Sequence, residues 1–226
     1  MNLQHVAIVP DGNRRWAKQH ALPPLEGHKR GAEVMHNVID YLIAQGIKYL
    51  TVWGFSMDNW RRSNNEVESL FRLLEQWIYI DTDWLEERNV KLRHIGRIGE
   101  LPDFLQLAIN QAGKLTQNNT GMILTLAFNY GGRAEIVDAV NQLLDESVPQ
   151  HIDEKVFSHY LYTDSMPDVD LVIRTAGEFR LSNFLLWQTA YSEFFFSDKL
   201  WPDFDTKELE KALQVYSERQ RRFGGD

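Results

Sequence analysis

Short apolar runs alternate with helix-patterned segments along the chain, and few folds can use that order. The runs cover 6–9, 49–55, 90–95, 122–128, 169–173 and 194–196. Each is rich in apolar, β-branched or aromatic residues and too short for a helix, so each reads as a buried strand. After a turn at Pro23-Pro24, Met35, Val38, Ile39, Leu42 and Ile43 recur at helical spacing up to Gly46, a suitable residue just past a helix end. Ser63-Asn64-Asn65-Glu66 has capping-box form and launches a long helix with Val67, Leu70, Phe71, Leu74, Trp77 and Ile78 on one face. Further helices are expected over 103–116, 134–144 and 183–188, and behind the caps Asp153 and Asp205. This alternation predicts an α/β fold: a single domain over 1–226, with a mainly parallel, about six-stranded sheet flanked by helices on both faces.

Ligands of such sheets sit at the carboxyl ends of the strands. The first strand is followed by Pro10-Asp11-Gly12-Asn13-Arg14-Arg15-Trp16: a ladder stop, a turn and a helix start. Backbone N–H groups at a helix start favour anions, and Arg forks favour phosphate. The second strand leads into Ser56, Asn59 and Arg62, and the fifth into Arg174, Arg180 and Ser182. Each set alone is what a solvated surface shows. Their recurrence after three strands of one sheet points to a phosphate site with room for more than one diphosphate. Asp11 and Glu193 are the carboxylates to test as Mg²⁺ ligands, since a divalent ion commonly rides on phosphate. His28 is a candidate for a phosphate oxygen, and Asn129-Tyr130-Gly131-Gly132 reads as a structural turn. No nucleotide-binding glycine loop and no zinc cluster is present.

The formal net charge of -8 argues against a general nucleic-acid binder. The absence of cysteine excludes disulfides and thiolate metal sites and is consistent with a cytoplasmic protein. Neither a signal peptide nor an apolar run of about 20 residues is visible. Seven Trp and twelve Phe are many for 226 residues, and they fit either ordinary core packing or the walls of a large apolar cavity.

Taken together, Asp-Gly-Asn-Arg-Arg-Trp-Ala at 11–17, Gly-His-Lys at 27–29, Phe-Ser-Met-Asp-Asn-Trp-Arg-Arg at 55–62, Asn-Tyr-Gly-Gly-Arg at 129–133, Asp-Leu-Val-Ile-Arg-Thr at 170–175 and Arg-Leu-Ser-Asn-Phe-Leu-Leu-Trp-Gln at 180–188 resemble the cis-prenyltransferase family. The run 191–205 completes the pattern, in order and over nearly the whole chain. The resemblance implies an undecaprenyl diphosphate synthase-like fold with an apolar product tunnel. It also implies a homodimer, a need for Mg²⁺, and condensation of isopentenyl diphosphate with an allylic diphosphate to make a new Z double bond. By this resemblance Asp11 is the central catalytic residue and a metal ligand. Gly12, Asn13, Arg14, Arg15, His28 and Arg62 would hold the allylic diphosphate. Trp16 and Trp60 would shape the pocket near the reacting carbons, and Ser56, Met57 and Asp58 would line it. Asn59 would sit near the departing proton in a positioning role, because an amide is a poor base. Arg174, Arg180, Leu181 and Ser182 would take isopentenyl diphosphate. Glu193 would be a metal ligand, supplied by the partner subunit, and the Arg222-Phe223-Gly224 tail would reach across the dimer, with Arg222 and Gly224 at the substrate. Peripheral membrane contact is expected for release of an insoluble product.

Several positions depart from the family pattern. Arg14 and Ala176 stand where Gly is common, Pro24 where a substrate-touching Arg occurs, Phe179 for a frequent His, Asp58 for Glu and Ser63 for Pro. Gly54 leaves room where a large residue would block a tunnel, while Trp77 and Tyr79 add bulk on the helix expected to line it. A short to medium or bacterial-length product is therefore expected. A catalytically silent dimer partner, a synthase joining two allylic diphosphates, and an unrelated phosphohydrolase are the competing readings. Retention of Asp11, Arg174, Arg180 and Glu193 weighs against the first.

Overall fold

Six strands form one all-parallel sheet in the order β3-β4-β2-β1-β5-β6. The structure is a computed structural model that describes residues 3–146 and 151–219. The strands are β1 (His5–Val9), β2 (Tyr49–Ser56), β3 (Lys91–Ile95), β4 (Ile123–Tyr130), β5 (Leu171–Arg174) and β6 (Glu193–Phe196). The helices are α1 (Asn13–Gln19), α2 (Pro24–Ala44), α3 (Asn64–Glu87), α4 (Asp103–Leu115), α5 (Gly132–Asp145), α6 (Glu154–Ser158) and α7 (Thr206–Glu218). The strand residues alternate between two cores, as the period of two requires. Val6 and Ile8 pack in the larger core with Val38 and Leu42 of α2, Phe71 and Ile78 of α3, and Leu213 of α7. Ala7 and Val9 join the smaller one, with Ala127, Tyr130, Val172 and Phe184.

The chain runs from β1 to β2, crosses to the edge at β3, comes back to insert β4 between β3 and β2, and then places β5 on the other side of β1. The order thus reverses between β1 and β5. A crevice opens at such a switch point, beyond the strand carboxyl ends.

The expected caps are present. The Asp153, Asp205 and Ser63 side chains accept from the N–H groups of Val156, Glu208 and Glu66 respectively. Three local expectations change. Pro24 is not a turn residue but opens α2, where its missing N–H costs nothing. The polar loop after β2 is a short 3₁₀ helix, Met57–Arg61, closed by Ser56 and Asn59. No helix covers 183–188: Ser182, Asn183 and Leu185 hold positive φ of 52°, 73° and 44°. Those conformations let the Asn183 carbonyl accept from Gly132 N–H at 2.7 Å and its side chain accept from Arg133 N–H at 2.8 Å. Arg222 and Gly224 lie outside the described residues.

Candidate active site

Asp11 and Arg174 meet across the switch point. Asp11 Oδ2 accepts from Arg174 Nη2 at 3.0 Å, and Asp11 Oδ1 accepts from the backbone N–H of Gly12 at 2.8 Å. The Asp11 carbonyl is fixed by Thr175 Oγ1 at 2.7 Å and by the Trp201 N–H at 3.0 Å. Arg174 is only 4% exposed. Its Nη1 donates to Ser182 Oγ at 2.8 Å and to the Arg180 carbonyl. The turn replacing the expected helix at 183–188 thus carries Ser182 to Arg174. Gly12 takes φ +106°, and a Cβ there would lie 2.9 Å from Leu200 Cδ2, so both conformation and space ask for glycine.

α1 and α2 bring the next residues. A Cβ on Gly27 would stand 2.0 Å from the Asn13 carbonyl oxygen, so the Gly-His-Lys stretch begins with a glycine that lets the two helices touch. The neighbouring His28 is half-buried, and its Nε2, shielded from solvent, has no hydrogen-bond partner. Burial, then the charges of Arg62 and Arg14, push its pKa down to about 4. The imidazole is therefore neutral near pH 7 and stands in a positive field. Arg62 also loses basicity, first through burial.

A cavity of about 600 Å³ begins here and runs between α2, α3 and strands β2 to β4. Its head is lined by Asp11, Asn13, Arg14, Arg15, His28, Ser56, Asp58, Asn59, Arg62, Arg174 and Ser182. Its body is lined by Met35, Ile39, Phe55, Leu70, Leu74, Trp77, Ile78, Leu126 and Phe128, with Gly54 at one wall. Among the described residues, six buried side-chain polar atoms lack a hydrogen-bond partner, and five of them line this cavity, on Asn13, His28, His36, Trp53 and Arg174. Buried polar groups are normally satisfied. Apart from His36 Nε2, which faces Asp81 at 3.0 Å, their concentration at one cavity marks the place where a ligand would satisfy them. A charged head on an apolar body fits an amphiphile with an anionic group.

Residues 9–224 match the prenyltransferase family described as undecaprenyl diphosphate synthase. The chain belongs to that family. It is 49% identical over 225 residues to an isoprenyl transferase of Thermotoga maritima, covering 98% of this chain and 97% of that one. It is 44% identical over 227 residues to the ditrans,polycis-undecaprenyl-diphosphate synthase, (2E,6E)-farnesyl-diphosphate specific, of Micrococcus luteus, covering 98% and 91%. A solved structure of lavandulyl diphosphate synthase from Lavandula x intermedia with dimethylallyl diphosphate superposes with a TM-score of 0.94 at 40% identity, covering 98% of each chain. One from Campylobacter jejuni, described as a probable undecaprenyl diphosphate synthase, gives 0.85 at 30% identity, with 99% of each covered. The protein is a cis-prenyltransferase and an enzyme of prenyl transfer.

The other residues that the sequence pattern attaches to a cis-prenyltransferase site divide into two groups. Asn59 lines the cavity, and its Oδ1 accepts from Ser56 N–H at 3.1 Å, which suits positioning. Arg15 Nη2 reaches the Ala176 carbonyl at 2.9 Å and Glu178 at 3.1 Å, and Arg180 also pairs with Glu178. Trp16, Met57, Trp60, Arg180 and Leu181 do not border the cavity, and the Arg180 side chain is exposed. Trp16 Nε1 donates to Asp203 and Trp60 Nε1 to Asn129, each at 2.8 Å. Asn129 holds φ +51° and also donates to the Arg97 carbonyl; the stretch expected to be a turn is instead the end of β4, through Tyr130, and the start of α5 at Gly132. Tyr79 is half exposed and off the cavity, whereas Trp77 lines it. Glu193 opens β6 at the amino edge of the sheet and pairs with Arg219 at 2.7 Å, so within one chain it lies at the edge opposite Asp11.

Two site residues escape sequence reading. Glu66, read as half of a capping box, sits 3.4 Å from Arg62 and 3.6 Å from Arg14. Glu178 lies between Arg15 and Arg180. The available signal was charge balance: a cluster of arginines needs counter-ions when its ligand is away.

Proposed function

We propose that the protein extends an allylic diphosphate by isopentenyl diphosphate, forming a Z double bond at each condensation and working as an Mg²⁺-dependent homodimer. The observation that carries this reading is the charged head of the cavity, with Asp11 and Arg174 joined at the switch point, opening onto an apolar body. Arg14, Arg62, Asn13 and His28 would hold the allylic diphosphate, and Arg174, Arg180 and Ser182 the isopentenyl diphosphate. The allylic C–O bond breaks, leaving diphosphate and a carbocation-like carbon. The isopentenyl double bond attacks that carbon, and a proton is then lost. Fixed donors around the leaving charge lower the barrier without reorganising. Asn59 orients the group that loses the proton, and a diphosphate oxygen is the acceptor.

Mg²⁺ is commonly held by one or two carboxylates plus substrate phosphate oxygens. Asp11 fits that use, being accessible beside the arginines, and no group of three or more ligating side chains is assembled among the described residues. When bound, the ion would neutralise charge on the leaving diphosphate. Glu193 would enter from the partner subunit. No helix among the described residues is long and apolar enough to cross a membrane, so bilayer contact during product release would be peripheral.

The test is incorporation of labelled isopentenyl diphosphate with dimethylallyl, geranyl, farnesyl or geranylgeranyl diphosphate as primer. A product ladder is expected. The likeness to lavandulyl diphosphate synthase supports a second reading, the coupling of two short allylic diphosphates, which would consume dimethylallyl diphosphate alone. Asp11→Asn keeps an acceptor for Arg174 and is expected to cut turnover by at least about 10²-fold in a folded protein. Near-normal turnover would remove Asp11 from its role.

A further inference from the structure

The end of the cavity remote from Asp11 is not apolar. His36 of α2 and Asp81 of α3 both line it, together with Trp84. His36 Nε2 lies 3.0 Å from Asp81 Oδ2, an ion-pair approach rather than a well-aligned hydrogen bond. The imidazole packs on the Trp84 indole with ring centroids 4.6 Å apart. The Arg88 guanidinium also covers Trp84, at 3.9 Å, and returns to α2 through Asp40 at 2.6 Å. Two cross-helix ion pairs with one indole among them therefore fasten α2 to α3 where the cavity ends.

Both polar residues interrupt apolar stripes. On α3, Asp81 follows Leu74, Trp77 and Ile78 at the i+7, i+4 and i+3 positions of the face that lines the cavity. On α2, His36 falls between Met35 and Ile39, which also line it. The two interruptions occur in different helices yet meet in space. A partly exposed ion pair contributes little to stability, so holding two helices together is a weak reason to place charge on a stripe that lines the cavity. An apolar chain end is sensitive to it, because advancing past the pair strips water from a carboxylate and an imidazole without replacing it.

We propose that the His36–Asp81 pair, backed by Trp84, is the polar floor of the product cavity and sets the length at which chain extension stops. The inference rests on the polyprenyl-extending reading above and adds the residues that decide product size. At 1.5 Å per residue, Asp81 lies about 22 Å along α3 from Glu66 at the head, and His36 about 12 Å along α2 from His28. Each isoprene unit adds four main-chain bonds of about 1.5 Å. By these two measures a drawn-out chain of roughly two to four units reaches the pair.

The experiment sizes the products made from farnesyl diphosphate and labelled isopentenyl diphosphate by three proteins: the native enzyme, His36→Leu/Asp81→Leu, and His36→Gln/Asp81→Asn. Thermal melting checks folding. The apolar double variant is expected to move the dominant product up by at least one five-carbon unit, and the polar, uncharged one to keep the native length. If the apolar variant does not fold, Trp84→Leu removes the backing indole and is expected to lengthen the product too. Native activity with unchanged or shorter products from the apolar variant, or from Trp84→Leu in its place, overturns the floor. A polar variant that lengthens as much as the apolar one overturns the role of polarity. Failure of the native enzyme to take up isopentenyl diphosphate would instead overturn the polyprenyl-extending reading itself.

Discussion

His28 shows how the site's charges act on a single group. Its pKa falls to about 4 because burial and then two guanidinium groups disfavour the imidazolium. Unfolding releases it to an ordinary value near 6.5. The contribution of neutral His28 is therefore fully present above about pH 6.5 and lost as pH falls toward 4. The native protein should lose stability relative to His28→Gln as pH falls from about 6.5 toward 4, read as a change in the difference between their denaturant midpoints; parallel curves would count against it. A bound diphosphate would reverse the local field, so ligand binding near pH 5.5 should take up protons, measurable by calorimetry in buffers of different ionisation heat. Glu66 and Glu178 act in the same field from the other side. Each sits where an anionic ligand would compete for two arginines. Glu178→Gln is expected to lower the KM for isopentenyl diphosphate several-fold without raising kcat, and an unaltered KM would show that the pairing is idle.

Contact between α1 and α2 at Gly27 sets the geometry of the cavity's charged head, the proposed diphosphate site. An added methyl would meet the Asn13 backbone, which cannot swing aside as a flexible side chain would. Gly27→Ala is therefore expected to cost about 3 kcal/mol, the upper part of the overpacking range, and to lower Tm by several degrees. Elements whose signal is local were legible in the sequence. The six apolar runs became six strands, and Ser63, Asp153 and Asp205 cap the helices they were expected to cap. The turn at 183–188 was not legible, because its positive φ values are sustained by bonds to Gly132 and Arg133 about 50 residues away. Proximity of Asp11, Arg174 and Ser182 followed from strand ends in a parallel sheet. That Arg174 ties the other two together needed the sheet order, with β1 beside β5. The His36–Asp81 pair left no trace in the sequence beyond two polar letters on apolar stripes.

Across the whole molecule, Val137, Val140 and Leu144 leave an exposed apolar stripe on α5, 53%, 42% and 72% accessible. Such a patch calls for a covering surface, and a second copy of the chain would supply one in the homodimer proposed above. Sedimentation should give a dimer, and Val140→Glu should yield monomer with turnover reduced at least tenfold; a fully active monomer would remove the partner from the site. The proposed polar floor of the cavity carries a different consequence. On the proposed chain-extending reading, new units would enter at the charged head and the oldest carbons would travel toward the floor. Such an enzyme behaves as a ruler and not as a counter: it registers where the tip has arrived, with no memory of how many additions brought it there. Starting from a primer one unit longer should therefore reduce the number of additions by one and leave the finished length the same.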